Sequence, residues 1–192
     1  GTVQLSYAPE QWGVALAYNY GSTDNGVGLY SGNGTPLANA LQANGVTNSA
    51  AVSAWWMPEE TGFIPSISAG WGINKTDDSA ALAAYAGLNS STSQSWYVGI
   101  QWDDAFLEGN ALGFAVGQPT FVTSIDTDGD DDFVADGNYA FELFYNFQVT
   151  DNISLTPAVH YFSRPLGDGN LTGSGTETFN SFGGMVKTTF TF

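Results

Sequence analysis

YAFELFYNFQVTDNISLTPAVHYFSR, Tyr139 to Arg164, decides the fold. Its first half alternates without a break. Tyr139, Phe141, Leu143, Tyr145, Phe147 and Val149 fall on one side, Ala140, Glu142, Phe144, Asn146 and Gln148 on the other. A period of two between unlike residues marks a strand whose faces meet different surroundings. The second half repeats the pattern, with Ile153, Leu155, Pro157, Val159 and Tyr161 against Ser154, Thr156, Ala158, His160, Phe162 and Arg164. Joining apolar face to apolar face predicts a three-residue connection, Thr150, Asp151 and Asn152, with Asn152 in the left-handed position. That register sets Glu142 opposite His160 and Asn138 opposite Arg164.

The large aromatics sit on one face and the small and polar residues on the other. In a soluble sandwich the apolar faces pack together; in an outer-membrane barrel they meet lipid and the polar faces meet water. Composition narrows the choice. The 192 residues carry a formal charge of -16, with 28 aromatics, 24 glycines and no cysteine. Lys75, Arg164 and Lys187 are the only basic side chains besides His160, too few to assemble a nucleic-acid surface. Acidic groups gather at turns, as in Glu59-Glu60, Asp77-Asp78, Asp103-Asp104 and Asp126 to Asp132, leaving the strand-like segments almost uncharged. No apolar run approaches the roughly 20 residues of a membrane helix, so a spanning structure has to be built from strands. There is no initiator Met and no signal-type segment, which reads as a chain beginning after processing or part-way through a longer protein.

Outward from the opening stretch, alternating runs recur at Val3–Tyr7, Trp12–Tyr20, Ala50–Trp56, Phe63–Ile73, Trp96–Asp103, Leu112–Ser124 and Phe182–Phe192. Gly117 and Pro119 mark a bulge in the sixth strand. Nine strands result, and short connections at Pro9, Pro58, Glu108 and Asp151 alternate strictly with long ones from Ser22, Thr76, Asp126 and Pro165. The first long connection, Ser22 to Asn48, holds a candidate helical turn from Leu37 to Ala43 after Pro36, and its folding into a lumen is an open question. The fold class is therefore all-β, an antiparallel up-and-down transmembrane barrel with tight turns at one rim and long loops at the other. An odd count of nine strands within residues 1–192 predicts the C-terminal portion of a larger barrel, because single-chain bacterial barrels have even numbers.

Charged groups on the predicted inward faces are the candidate pore-lining residues: Glu142, His160, Arg164, Lys187 and Asp103. The plainer reading is that Glu142 and His160 satisfy each other while Arg164 sits at a wet rim. Asp126, Asp128, Asp130, Asp131 and Asp132 have the composition of a calcium loop but not its order, since Gly129 comes too early and no Glu closes the motif. A solvated acidic loop is expected, with an ion bridging it to lipid headgroups as the alternative. Ser154 lies six residues from His160, roughly 20 Å along a strand, so no hydrolytic triad is expected. Gly32-Asn33-Gly34 reads as a turn and not a phosphate loop. No catalytic residue, metal or cofactor is implied.

YAFELFYNFQVTDNISLTPAVHYFSRP, with the closing FGGMVKTTFTF, resembles the C-terminal half of cyanobacterial major outer-membrane porins of the OprB-like carbohydrate-selective family. The resemblance is strongest from Asn138 to Phe192 and lies in strand motifs, not in substrate motifs. It implies a trimeric barrel of about 16 strands in the outer membrane, among lipid and lipopolysaccharide, preceded by a wall-gripping periplasmic domain. A terminal Phe192 after alternating apolar residues is similar to the signal read by the barrel-assembly machinery. The expected function is a passive, cation-leaning diffusion channel for small ions and hydrophilic solutes. The alternatives are a structural barrel or adhesin with a plugged lumen, and a soluble all-β carbohydrate-binding module that buries its aromatic faces.

Overall fold

The structure, a computed structural model, describes residues 1–22, 34–42, 45–60, 62–77, 88–127, 130–167 and 179–191. Its strands are β1 (Thr2–Tyr7), β2 (Trp12–Ser22), β3 (Val46–Trp56), β4 (Ser66–Asp77), β5 (Leu88–Asp103), β6 (Ala111–Thr127), β7 (Asp130–Phe133), β8 (Tyr139–Thr150), β9 (Ile153–Ser163) and β10 (Asn180–Phe190). Among the described residues one helix, α1 (Pro36–Gln42), interrupts the connection between β2 and β3. All strands join a single sheet in the order β1-β2-β3-β4-β5-β6-β8-β9-β10, and the short β7 folds back on β6. Every pairing is antiparallel. With nine strands alternating in direction, β1 and β10 run the same way, and among the described residues they do not pair with each other. Short and long connections alternate, but narrowly at one place, where nine residues, 57–65, join β3 to β4 and ten, 78–87, join β4 to β5.

Register aligns like with like across the sheet. One transverse row reads Ser6, Ala15, Ser53, Gly70, Tyr97, Gly117, Ala140, Phe162 and Ser181. The row beside it, on the opposite face, reads Tyr7, Val14, Ala54, Ala69, Val98, Val116, Phe141, Tyr161 and Phe182. The first face is mostly small, Ser, Gly and Ala around Tyr97 and Phe162; the second is apolar and bare, with Leu5 72% and Val186 65% exposed. At about 25 cal/mol per Å², an apolar face of this extent in water is untenable, whereas in lipid it is at home. Outer-face indoles that sit near polar groups are satisfied: Trp71 Nε1 donates to Gln94 Oε1 at 3.1 Å and Trp96 Nε1 to Gln118 Oε1 at 2.6 Å. From Trp12 to Tyr20, eight residues up β2, is roughly 27 Å at strand rise, enough to carry an aromatic residue to each side of an apolar band once the strand is tilted.

Four local expectations change. The β8–β9 connection has two residues, Asp151 and Asn152, because Thr150 pairs with Ile153 and the extra residue is absorbed as a register shift between Gln148 and Thr150. Asn152 does not take the left-handed conformation; among the described non-glycine residues, Asp104, Phe106 and Arg164 do. Its side chain instead donates to the Thr191 carbonyl at 2.8 Å, holding the end of β10. The β8–β9 ladder stops at Tyr139 opposite Ser163, so Asn138 and Arg164 do not pair. The bulge expected at Gly117 and Pro119 is present as a register shift between β5 and β6, where Trp96 faces Gln118 and Gln94 faces Phe121. The acidic connection is shorter than expected, since β6 runs on to Thr127 and β7 pairs with it. Asp128, Gly32, Asn33, Ala43 and Phe192 lie outside the described residues.

Candidate functional site

The sheet curls around its small-residue face. One cavity of about 770 Å³ is bordered by Gln4 on β1 and Phe162 on β9. Seven strand spacings separate them, roughly 34 Å in a flat sheet. Only a strongly curved wall brings both to one space. Between them the floor is made of Ala17, Ala51, Gly72, Ser95, Ala115 and Ala140, short side chains that leave the interior open.

Toward the long-loop rim the same face is covered. Thr35 caps α1, its Oγ1 accepting from the Ala38 amide at 3.2 Å, and Pro36 follows at the first helical position, where no amide is needed. Leu37, Ala38 and Leu41 then share one stripe and bury against Val122 and Ile125 of β6 and Val134. Val122 pairs with Ser93 and Ile125 with Ser91, which places both on the inner face. Beneath the helix lies a polar carpet: Thr47, Ser49, Asn74, Thr76, Ser91 and Ser93 are all buried. Four of these groups bond to one another or to Gln42, whose Oε1 is buried without a partner among the described residues. Thr47 and Thr76 hydroxyls meet at 2.9 Å, and Ser93 Oγ accepts from Asn74 Nδ2 at 3.1 Å and from Gln42 Nε2 at 2.7 Å.

A buried carboxylate fastens this cover. Asp136 is 0% exposed and accepts from the Thr35 hydroxyl in a short hydrogen bond and from the Val122 amide at 2.9 Å. Charge-assisted bonds offset the cost of burying it. Gly34 completes the joint. A Cβ there would stand 2.6 Å from the Thr120 carbonyl, and the amide of Thr35 donates to that same oxygen at 2.8 Å.

Four of the large inner-face rings share one device. Each of these lies across a glycine of the neighbouring strand: Trp55 over Gly13, Tyr97 over Gly70, Phe144 over Gly113 and His160 over Gly183. The missing side chain lets the ring lie down on the wall.

A sheet with one bare apolar face, one small polar face curled round a cavity, and tight turns at a single rim has the construction of a membrane pore. Residues 11–192 match the carbohydrate-selective porins, the OprB family. The chain belongs to that family. Two cyanobacterial relatives, both called uncharacterised proteins, are similar to it. One, from Synechocystis, is 27% identical over 214 residues and covers 98% of this chain. The other, from Nostoc, is 28% identical over 166 residues and covers 83% of it. The chain spans 35% of the first relative's length and 24% of the second's. No solved structure matches it.

Of the five charged or titratable residues expected on the inner face, two border the cavity, Glu142 and His160. They stand opposite each other on β8 and β9, as the register predicts. They do not satisfy each other: the imidazole leans away over Gly183 and packs on Phe162 at 5.3 Å, and among the described residues none pairs with the Glu142 carboxylate. Asp103 and Lys187 lie on the inner face at the short-turn rim, Asp103 opposite Ala111 and Lys187 opposite Thr156, both exposed. Asp103 accepts from Gln101 Nε2 at 2.7 Å. Arg164, at φ 50°, is drawn into the long-loop rim, where Nη2 donates to the Ala135 carbonyl at 2.9 Å. It ties two connections together and does not border the cavity.

Sequence reasoning found the helical turn but not its place. The signal was there in Thr35-Pro36, a cap and first-turn pair, followed by Leu37, Ala38 and Leu41 at helical spacing. Asp136 gave no signal, because its neighbours in sequence read as an acidic loop.

Proposed function

We propose that the chain forms part of the wall of a water-filled diffusion channel for small ions and small hydrophilic solutes in the outer membrane of a cyanobacterium. The observation that carries this reading is the cavity shared by β1 and β9 on the face of mostly small residues, backed by a largely apolar outer face. Permeation is then physical sieving. The wall is smooth where Gly, Ala and Ser line it, and α1 narrows the passage near the long-loop rim. A formal charge of -16 raises the local cation concentration and leans the channel toward cations.

Strands outside these residues complete the barrel, and their number is odd, because β1 and β10 run the same way. The proposal extends to a homotrimer embedded among lipid and lipopolysaccharide, with Phe192 as the residue read by the barrel-assembly machinery. The outer-face exposure speaks against a soluble carbohydrate-binding module. A structural barrel with a plugged lumen keeps one observation in its favour, the docking of α1 on the inner face.

The test is planar-bilayer conductance of the full-length protein with reversal potentials in a salt gradient. Stepwise currents with a cation-leaning reversal potential are expected. Silence after confirmed insertion selects the plugged barrel.

A further inference from the structure

We propose that Glu142, with the rings of His160 and Phe162, is a binding subsite for small organic cations of the alkylammonium class. The site rests on the channel reading above and names a class of solute that its wall detains.

Four observations converge on the β8–β9 seam. The Glu142 carboxylate is exposed, borders the cavity and has no partner among the described residues. The residues bordering that cavity include no lysine or arginine, so no fixed cation competes for it. Phe144 lies down toward β6 over Gly113 and His160 toward β10 over Gly183, two leanings in opposite directions that clear the wall above Glu142. Phe162, diagonal to Glu142 in the ladder and 5.3 Å from the His160 ring, borders the same space. Ala115 and Ala140, the neighbours of Glu142 across β6 and along β8, add no bulk.

A lone carboxylate among ring faces is the chemistry that holds an ammonium group carrying alkyl substituents. The charge meets the carboxylate, and the alkyl surface meets the rings. A hydrated inorganic cation gains less, because ring faces replace its water poorly. A sugar would use the carboxylate as an acceptor but leaves its charge uncompensated.

The experiment uses the full-length protein in detergent with tetraethylammonium chloride as probe, and binding is read by calorimetry. Saturable binding is expected, weakened about tenfold in Glu142→Gln and about threefold in Phe162→Leu, which keeps an apolar side chain and removes the ring face. Block of potassium current in bilayers should weaken by the same factors. Binding unchanged in both variants, no binding to the parent protein, or binding of glucose that depends on Glu142 while tetraethylammonium does not bind would each overturn the proposal. Because calorimetry needs no open pore, a silent bilayer defeats the channel reading without obscuring this result.

Discussion

The inner face of the sheet has two regions built on the same strands. Under α1, Ser93 and Asn74 are buried and bonded; two residues down those strands, Ser95 and Gly72 border open space. The backbone pairing does not distinguish them, since β4 and β5 run in one continuous register from Asp77 to Ser66. Cover distinguishes them. Where the loop returns to the wall, hydroxyls and amides form a network that water would otherwise complete, and the buried apolar residues of the described structure gather on Val122 and Ile125. Where it does not, the same kinds of residue stay wet. A barrel wall of this sort has no core of its own; its core is wherever a loop docks.

Breaking the cover should give the largest effect. Leu41→Asp removes a buried side chain and places a charge against Val122, and undocking should cost about 2–5 kcal/mol, the range of core leucine truncations. It should expose residues 34–42 to protease and, if α1 narrows the passage, raise single-channel conductance. A variant with the parent's protease pattern would show that α1 is held by something else.

In the open region the rings over glycines are the tightest packing. Gly113→Ala collides with Phe144 and should destabilise the folded barrel by about 1–3 kcal/mol, as overpacking does. Gly184→Ala on the outer face meets no atom closer than 3.5 Å and should stay within about 0.5 kcal/mol. Urea titration of refolding into lipid vesicles separates them, and equal effects would contradict the ring-over-glycine geometry.

The smallest effect sharpens the contrast most. Ser93→Ala takes an acceptor from Gln42 and Asn74 inside the covered region and should cost about 1 kcal/mol, whereas Ser95→Ala should change stability by less than about 0.5 kcal/mol. The same titration measures both, and indistinguishable values would mean that the cover does not exclude water.

Strand identity, the alternation of connections and the Glu142–His160 register were legible because they rest on period two, which apolar residues write plainly. The upper ends of β3, β4 and β5 were not. Val46 to Asn48, Thr76-Asp77 and Leu88 to Thr92 read as loop because, under a docked helix, inner-face strand residues are Thr, Ser and Asn and the alternation vanishes. Asp136 was invisible for the converse reason: a buried carboxylate looks like any acidic loop residue until its donors, 14 and 101 positions away in the chain, are in place. The expected mutual pairing of Glu142 with His160 followed from opposition in the ladder, which fixes Cα positions but not the direction a ring leans.

The central claim is that one face of this sheet meets water and the other lipid. These residues contain no cysteine, so single cysteines can be placed along β8 at positions 140 to 145 in the full-length protein, reconstituted in vesicles. Labelling with a charged, membrane-impermeant thiol reagent should alternate: rapid at 140, 142 and 144, slow at 141, 143 and 145. Uniform labelling, or alternation in the opposite phase, would contradict the account.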